Sequence, residues 1–137
     1  MMPSIQSPNP EEKVRDGRPI AGFALKVDLD AESVYLKADK SWHDNGHSSK
    51  ILLKYPDFRV VLISLKAQAR MTEHHTNHRV TVQALTGRVR LHLADGILDL
   101  LRGNLLSIDR DVPHDVEAVE DSVLLLSLAW SSAQQAR

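Results

Sequence analysis

The chain has no cysteine among its 137 residues. That excludes disulfides, thiolate metal sites and cysteine nucleophiles, and it suits a reducing compartment, so a cytoplasmic location is expected. Aromatic residues are scarce, with two each of Phe, Tyr and Trp. They are not interleaved with the arginines, so the stacking platform of a single-strand nucleic-acid binder is missing. A formal net charge of −1 supplies no basic field for nucleic acid or an anionic membrane. No uncharged apolar run approaches the length of a membrane span, and the longest, residues 123–130, is interrupted by Ser127. The opening Met-Met-Pro-Ser-Ile lacks the basic start and apolar core of a signal peptide. Neither nucleic acid nor membrane is an expected partner.

What remains is an ordinary globular composition, 42% hydrophobic and 26% charged, in a length that suits one domain with a substantial core. Residues 1–20 hold four of the six prolines and a mixed-charge patch, which reads as a flexible arm. Residues 21–49 read as an extension. They contain a short strand at 23–27 and a helix over 30–42 that places Val34, Ala38 and Trp42 at helical spacing. A polar loop follows at 44–49, with His43 and His47 expected in solvent.

Residues 50–130 read as β-structure, and 131–137 as a tail. Val80, Val82 and Ala84 alternate with polar neighbours, as do Val89, Leu91 and Leu93, and Gly87 makes the turn between them. Ala94-Asp95-Gly96 is a hairpin signal. Further short strands are expected at 51–53, 58–65, 97–101, 105–108, 116–119 and 123–128. Many short strands without intervening helices indicate a sandwich or barrel. Residues 59–63 and 123–126 are apolar on both faces, so the outside of the sheet must be covered. The N-terminal helix and a second copy of the chain are the expected covers, which predicts a homodimer.

Three of the seven histidines, His74, His75 and His78, lie just upstream of the alternating run that ends at Gly87. Imidazole is the commonest metal-ligating side chain. If residues 74–80 run extended, His74, His78 and Val80 share a face, and His75 has the opposite parity. His74, His78 and His114 would then make a three-histidine site accepting Zn²⁺, Fe²⁺, Mn²⁺ or Ni²⁺. The competing reading is a solvated histidine loop, with His114 hydrogen-bonded in the barrel mouth. His92 alternates outward with Arg88 and Arg90, and the same alternation turns Asp115 away from His114.

The strand plan, the histidine cluster ahead of Leu85-Thr86-Gly87 and the downstream Pro113-His114 resemble the cupin superfamily. Its members form a double-stranded β-helix, a small jelly-roll barrel, and the resemblance spans about residues 50–130. The family's second motif falls in register on Gly103, with Asp109 at a proline place, Asp111 at a glycine place, then His114. Ala118 stands where the family has asparagine. Leu100-Leu101-Arg102-Gly103-Asn104 matches the family's glycine turn. Anchored on Gly87, the first motif implies ligand places at His74, Thr76 and Val80. Two of the four implied ligands, at Thr76 and Val80, are therefore replaced, and valine cannot ligate.

Three functions follow from these residues. The first is a small cupin-fold protein that binds a small, partly apolar ligand. Val80 and Val82 would line the barrel, and His74, His78 and His114 would stand at its mouth beside a degenerate metal site. The second is a metal-dependent three-histidine dioxygenase or isomerase. The third is a structural or regulatory dimer without ligand.

Overall fold

A computed structural model describes residues 24–74 and 77–129, without the side chains at 73 and 74. The expected arm and tail lie outside these residues. Residues 24–28 are not a strand; they lead into α1 (Leu29–Ala38). Asp28 caps this helix, its carboxylate accepting from Ala31 N at 3.1 Å, and Asp30 and Glu32 favour the first turn electrostatically. The helix does not continue to Trp42 as expected. Asp39 is extended, with φ −68° and ψ 142°, and caps a second helix, α2 (Lys40–Asn45), by accepting from Ser41 N at 3.2 Å. A short acidic side chain that bonds nearby backbone competes with helix continuation. The break disperses the expected stripe: Val34 is 67% exposed and Ala38 is exposed, while Leu36 and Trp42 are buried. Gly46 ends α2 in the left-handed conformation, φ 84°.

The polar stretch at 44–49 is not a loop, because its second half already pairs with a neighbouring strand from His47 onward. The described strands are β1 (His47–Lys54), β2 (Phe58–Leu65), β3 (Arg70–His74), β4 (Arg79–Thr86), β5 (Arg88–Leu93), β6 (Gly96–Leu101), β7 (Leu105–Ile108), β8 (His114–Ala118) and β9 (Ser122–Ala129). β3 is absent from the sequence reading, since Arg-Met-Thr-Glu-His carries no apolar alternation. The strands form two antiparallel sheets, ordered β1-β2-β9-β4-β7 and β3-β8-β5-β6. From β3 onward the chain crosses between the sheets at every step except the β5–β6 hairpin, which is the jelly-roll pattern. One core joins them: Ile63, Leu65, Val80, Val82 and Ala84 from the first, Val89, Leu91, Leu100, Val116 and Ala118 from the second. No helix among the described residues is long and apolar enough to cross a membrane.

The outside of the five-stranded sheet is apolar where β2 meets the helices. Leu62, fully buried, faces away from the barrel core and lies under the layer that holds Leu36 and Trp42. Ser48 Oγ donates to Leu36 O at 2.7 Å, and Ser41 Oγ donates to His47 O at 2.7 Å, so the sheet and helices share buried polar groups. Lys37 and Lys66 each place an ammonium 5.3 Å from the Trp42 ring centroid. The expected helical cover is therefore present. It stops short of Leu125, which pairs with Leu62 and is only half-buried. Leu62→Ala is expected to lower the unfolding free energy by about 2–5 kcal/mol, read from urea denaturation. A loss below about 1 kcal/mol would show that the helical layer does not seal this face.

Candidate functional site

Topology gathers one set of strand ends. β3 stops at His74 and β4 starts at Arg79; β7 stops at Ile108 and β8 starts at His114. Register fixes who faces whom. Val80 is opposite Ile108 on one side and Leu128 on the other, and Leu128 is opposite Arg59. In the other sheet His74 is opposite His114, after a bulge between Met71 and His74. These positions form one end of the barrel.

The expected extended run over 74–80 is not formed. His74 belongs to the four-stranded sheet and Arg79 to the five-stranded one, and Asn77 and His78 lie in a bend between them. Facing sheets stand about 10 Å apart, so the backbone must turn to cross. The parity that grouped His74, His78 and Val80 therefore does not apply. His78 is half-buried at the crossover, and His75 and Thr76 lie outside the described residues. Val80, 4% exposed, is the apolar floor of this end, and Val82 is one layer deeper in the closed core.

His114 has the parity of Val116 and Ala118, which places it on the inner face, half-buried. Its Nδ1 lies 3.0 Å from Val112 O. A carbonyl only accepts, so Nδ1 carries the proton and, in the neutral ring, Nε2 carries the lone pair. Asp111 has φ 62°, in the left-handed region. That is the place the resemblance assigns to glycine, and aspartate tolerates it better than most residues. The family's four-ligand metal set does not fit, because Val80 is a buried valine. Among the described residues, no group of three or more His, Cys, Asp or Glu could hold a metal ion. Sequence reasoning missed Arg59 at this end. Its parity matches Val61, Ile63 and Leu65, and that count through an apolar run was the available signal.

The outer face of the four-stranded sheet carries paired charges. Arg70 donates to Asp115 at 2.7 Å, so Asp115 does turn away from His114. His92 Nε2 lies 2.9 Å from Glu117, and Asp99 lies 2.6 Å from Arg88 and 3.5 Å from Arg90. Arg70, Arg88 and Arg90 therefore belong to a mixed-charge ladder. On the five-stranded sheet, at the start of β4, Arg79 pairs with Asp109. His43 is exposed and edge-on to Trp42, in α2, while His47 is half-buried in β1; neither lies in a loop.

No family model matches the chain, and no curated protein matches it. Solved structures do. A cupin superfamily protein from Desulfitobacterium hafniense superposes with a TM-score of 0.61 at 16% identity, covering 64% of this chain and 80% of that one. KdgF from Halomonas sp. gives 0.58 at 22% identity, over 65% and 84%. A salicylate 1,2-dioxygenase variant from Pseudoaminobacter salicylatoxidans, in complex with gentisate, gives 0.68 at 14% identity, over 75% of this chain and 32% of that one. At these identities the likeness is one of fold.

Three carboxylates outside the site are held below their ordinary range. The His92 hydrogen bond does this to Glu117, the Arg88 hydrogen bond to Asp99, and the Ala67 N–H together with Lys37 to Asp121. Groups depressed in the folded state stabilise it above their unfolded pKa, and that contribution is lost as pH falls through the folded value. The urea midpoint is expected to stay level from neutrality to about pH 5 and to fall below about pH 4. The combined Asp99→Asn, Glu117→Gln and Asp121→Asn variant should show a shallower acid fall. An unchanged acid limb in that variant would contradict the assignment.

Proposed function

Starting from the cupin fold as the premise, we propose that this protein binds a small, partly apolar molecule at the His114 end of its barrel, beside a degenerate metal site. The observation that carries this reading is a change of character along the inner face. Ala84, Val89 and Leu91 are fully buried, so the deep barrel is dry and filled. Toward the other end the inner face carries the half-buried His114 in one sheet, and the half-buried Leu128 beside Val80 and Ile108 in the other. An apolar floor with few convergent polar groups is the composition of a small-molecule site. His114 would meet the polar group of the ligand, and Val80 would contact its apolar part.

A three-histidine metal site at His74, His78 and His114 is the second reading. It is supported by the register that sets His74 opposite His114. Such a site would supply Lewis-acid or dioxygen chemistry to a dioxygenase or isomerase. Metal analysis of protein purified without a histidine tag separates the two. We expect substoichiometric metal, together with a raised Tm in a screen of small organic acids and phenols. A stoichiometric transition metal lost on His114→Ala would replace the binding module by the enzyme. Absence of both metal and thermal shift would leave the structural dimer.

The homodimer is a separate proposal. It is supported by Ile97, Leu101 and Leu105, exposed apolar residues on the successive strands β6 and β7. Light scattering at micromolar concentration should give twice the chain mass of 15.3 kDa. A monomeric mass would refute it.

A further inference from the structure

We propose that the open edge of β6 is the self-association site of this protein, where a second copy of the chain pairs as an antiparallel strand about a two-fold axis at Leu98. The inference rests on the homodimer reading above and names the surface that makes it.

Each sheet ends in two edge strands, and an edge strand is a template for another chain unless something blunts it. β1 is blunted by a bulge between Ile51 and Leu53, and Lys50 on it is tied to Glu32 of α1 at 2.8 Å. β3 carries a bulge between Met71 and His74 and begins with an arginine, and β7 is only four residues long. β6 has none of these devices. Its six residues keep unbroken register with β5, from Gly96 opposite Leu93 to Leu101 opposite Arg88, and include no proline, lysine or arginine. Its one charged residue, Asp99, is drawn back over its own sheet by Arg88 at 2.6 Å and Arg90 at 3.5 Å. Ile97, Leu98 and Leu101 are exposed along it. Among the described residues, no strand pairs with its other side.

The hydrogen bonds show which backbone groups this edge offers. Arg88 O accepts from Val119 N at 2.9 Å, on the β8 side, so Arg88 and Leu101 are a non-hydrogen-bonded pair. Leu101 agrees: its N–H donates to Asn104 Oδ1 at 2.9 Å, and its carbonyl accepts from Asn104 N at 2.8 Å, both away from β5. Alternation then turns the N–H and C=O of Ile97 and Asp99 to the open side, and those of Leu98 and Leu100 to β5. A copy of β6 laid antiparallel, with Leu98 opposite Leu98, sets Ile97 opposite Asp99 and Asp99 opposite Ile97. The donors and acceptors of both residues are then satisfied reciprocally, as a two-fold interface requires. Shifting the register to set Asp99 opposite Asp99 would call on Leu101, whose N–H is already used, and would place like charges face to face. Leu98 has the parity of the buried Leu100 yet is 36% exposed, so the axis also covers an apolar side chain with its own copy. Each Asp99 brings two arginines with it, so the acids do not meet uncompensated. β6 is in these respects its own complement.

The chain has no cysteine, so a single introduced thiol reports the axis directly. Residues facing each other in a non-hydrogen-bonded antiparallel pair have Cα atoms about 4.5 Å apart, within the range of about 4.4–6.8 Å that a disulfide spans. The full chain carrying Leu98→Cys, oxidised at micromolar concentration, is expected to form a covalent dimer about tenfold or more faster than Ile97→Cys, whose two copies are not opposite each other. Ile97→Pro removes an N–H of the open edge and leaves the β5 ladder intact, so it should give a monomeric mass by light scattering with an intact unfolding transition. Ile97→Thr keeps that N–H and should remain a dimer. A dimer that persists in Ile97→Pro, or equal cross-linking of the two cysteine variants, would overturn this inference and leave the homodimer to another face. A wild-type monomer whose Leu98→Cys variant does not cross-link would overturn both readings and leave the edge to another strand. If Ile97→Pro does not fold, the two cysteine variants decide alone: faster cross-linking at Leu98 supports the pairing, and equal rates contradict it.

Discussion

The packing of Val82 and Ala84 in one sheet together with Val89 and Leu91 in the other fixes most of what this molecule does. Ala84, Val89 and Leu91 are fully buried, so no water fits beside them. Side chains alternate along a regular strand, so once this layer is closed the faces of the residues on β2, β5 and β8 are settled. The turn that joins the two sheets depends on the same closure. Gly87 has φ 81°, and a Cβ there would fall on Ser122 Oγ and the Asp121 carbonyl. Ser122 Oγ in turn donates to Glu120 O and accepts from Arg88 N, which locks the end of the barrel opposite His114.

Because the closed layer propagates outward by parity, it also builds the candidate site. The inner-face positions at which full burial ends are those of Arg59, His114 and Leu128, beside Val80. The helical layer plays a complementary part on the other side of the five-stranded sheet. It covers Leu62 and leaves Leu125 half-buried. Ladders of paired charge cover the outside of the four-stranded sheet. Ile97, Leu101 and Leu105 on β6 and β7 stay exposed, as do Val34 and Tyr35 on α1.

The alternating strands were legible in the sequence because their faces differ. Val80, Val82, Ala84, Val89 and Leu91 all lie where period-two patterning places them. Asp111 was legible in another way. The resemblance puts a glycine place there, and the backbone is left-handed at that residue. What was not legible depends on local competition or on tertiary context. Asp39 breaks one helix into two by capping the second, which the stripe of Val34, Ala38 and Trp42 conceals. β3 has no alternation of its own and exists because β8 pairs with it. His78 was placed by the parity of a strand that does not run through it. Arg59 was hidden by its surroundings: parity groups it with Val61, Ile63 and Leu65, but in a run apolar on both faces the sequence does not say which face is the inner one. Only the pairing with Leu128 and Val80 assigns it.

The central claim is that the chemistry of this barrel is confined to its His114 end. A crystal structure with the ligand that gives the largest thermal shift tests it most directly. The account predicts density bounded by Val80, Leu128 and His114. Density deep among Ala84, Val89 and Leu91, or on the outer charged face beside His92 and Glu117, would contradict it.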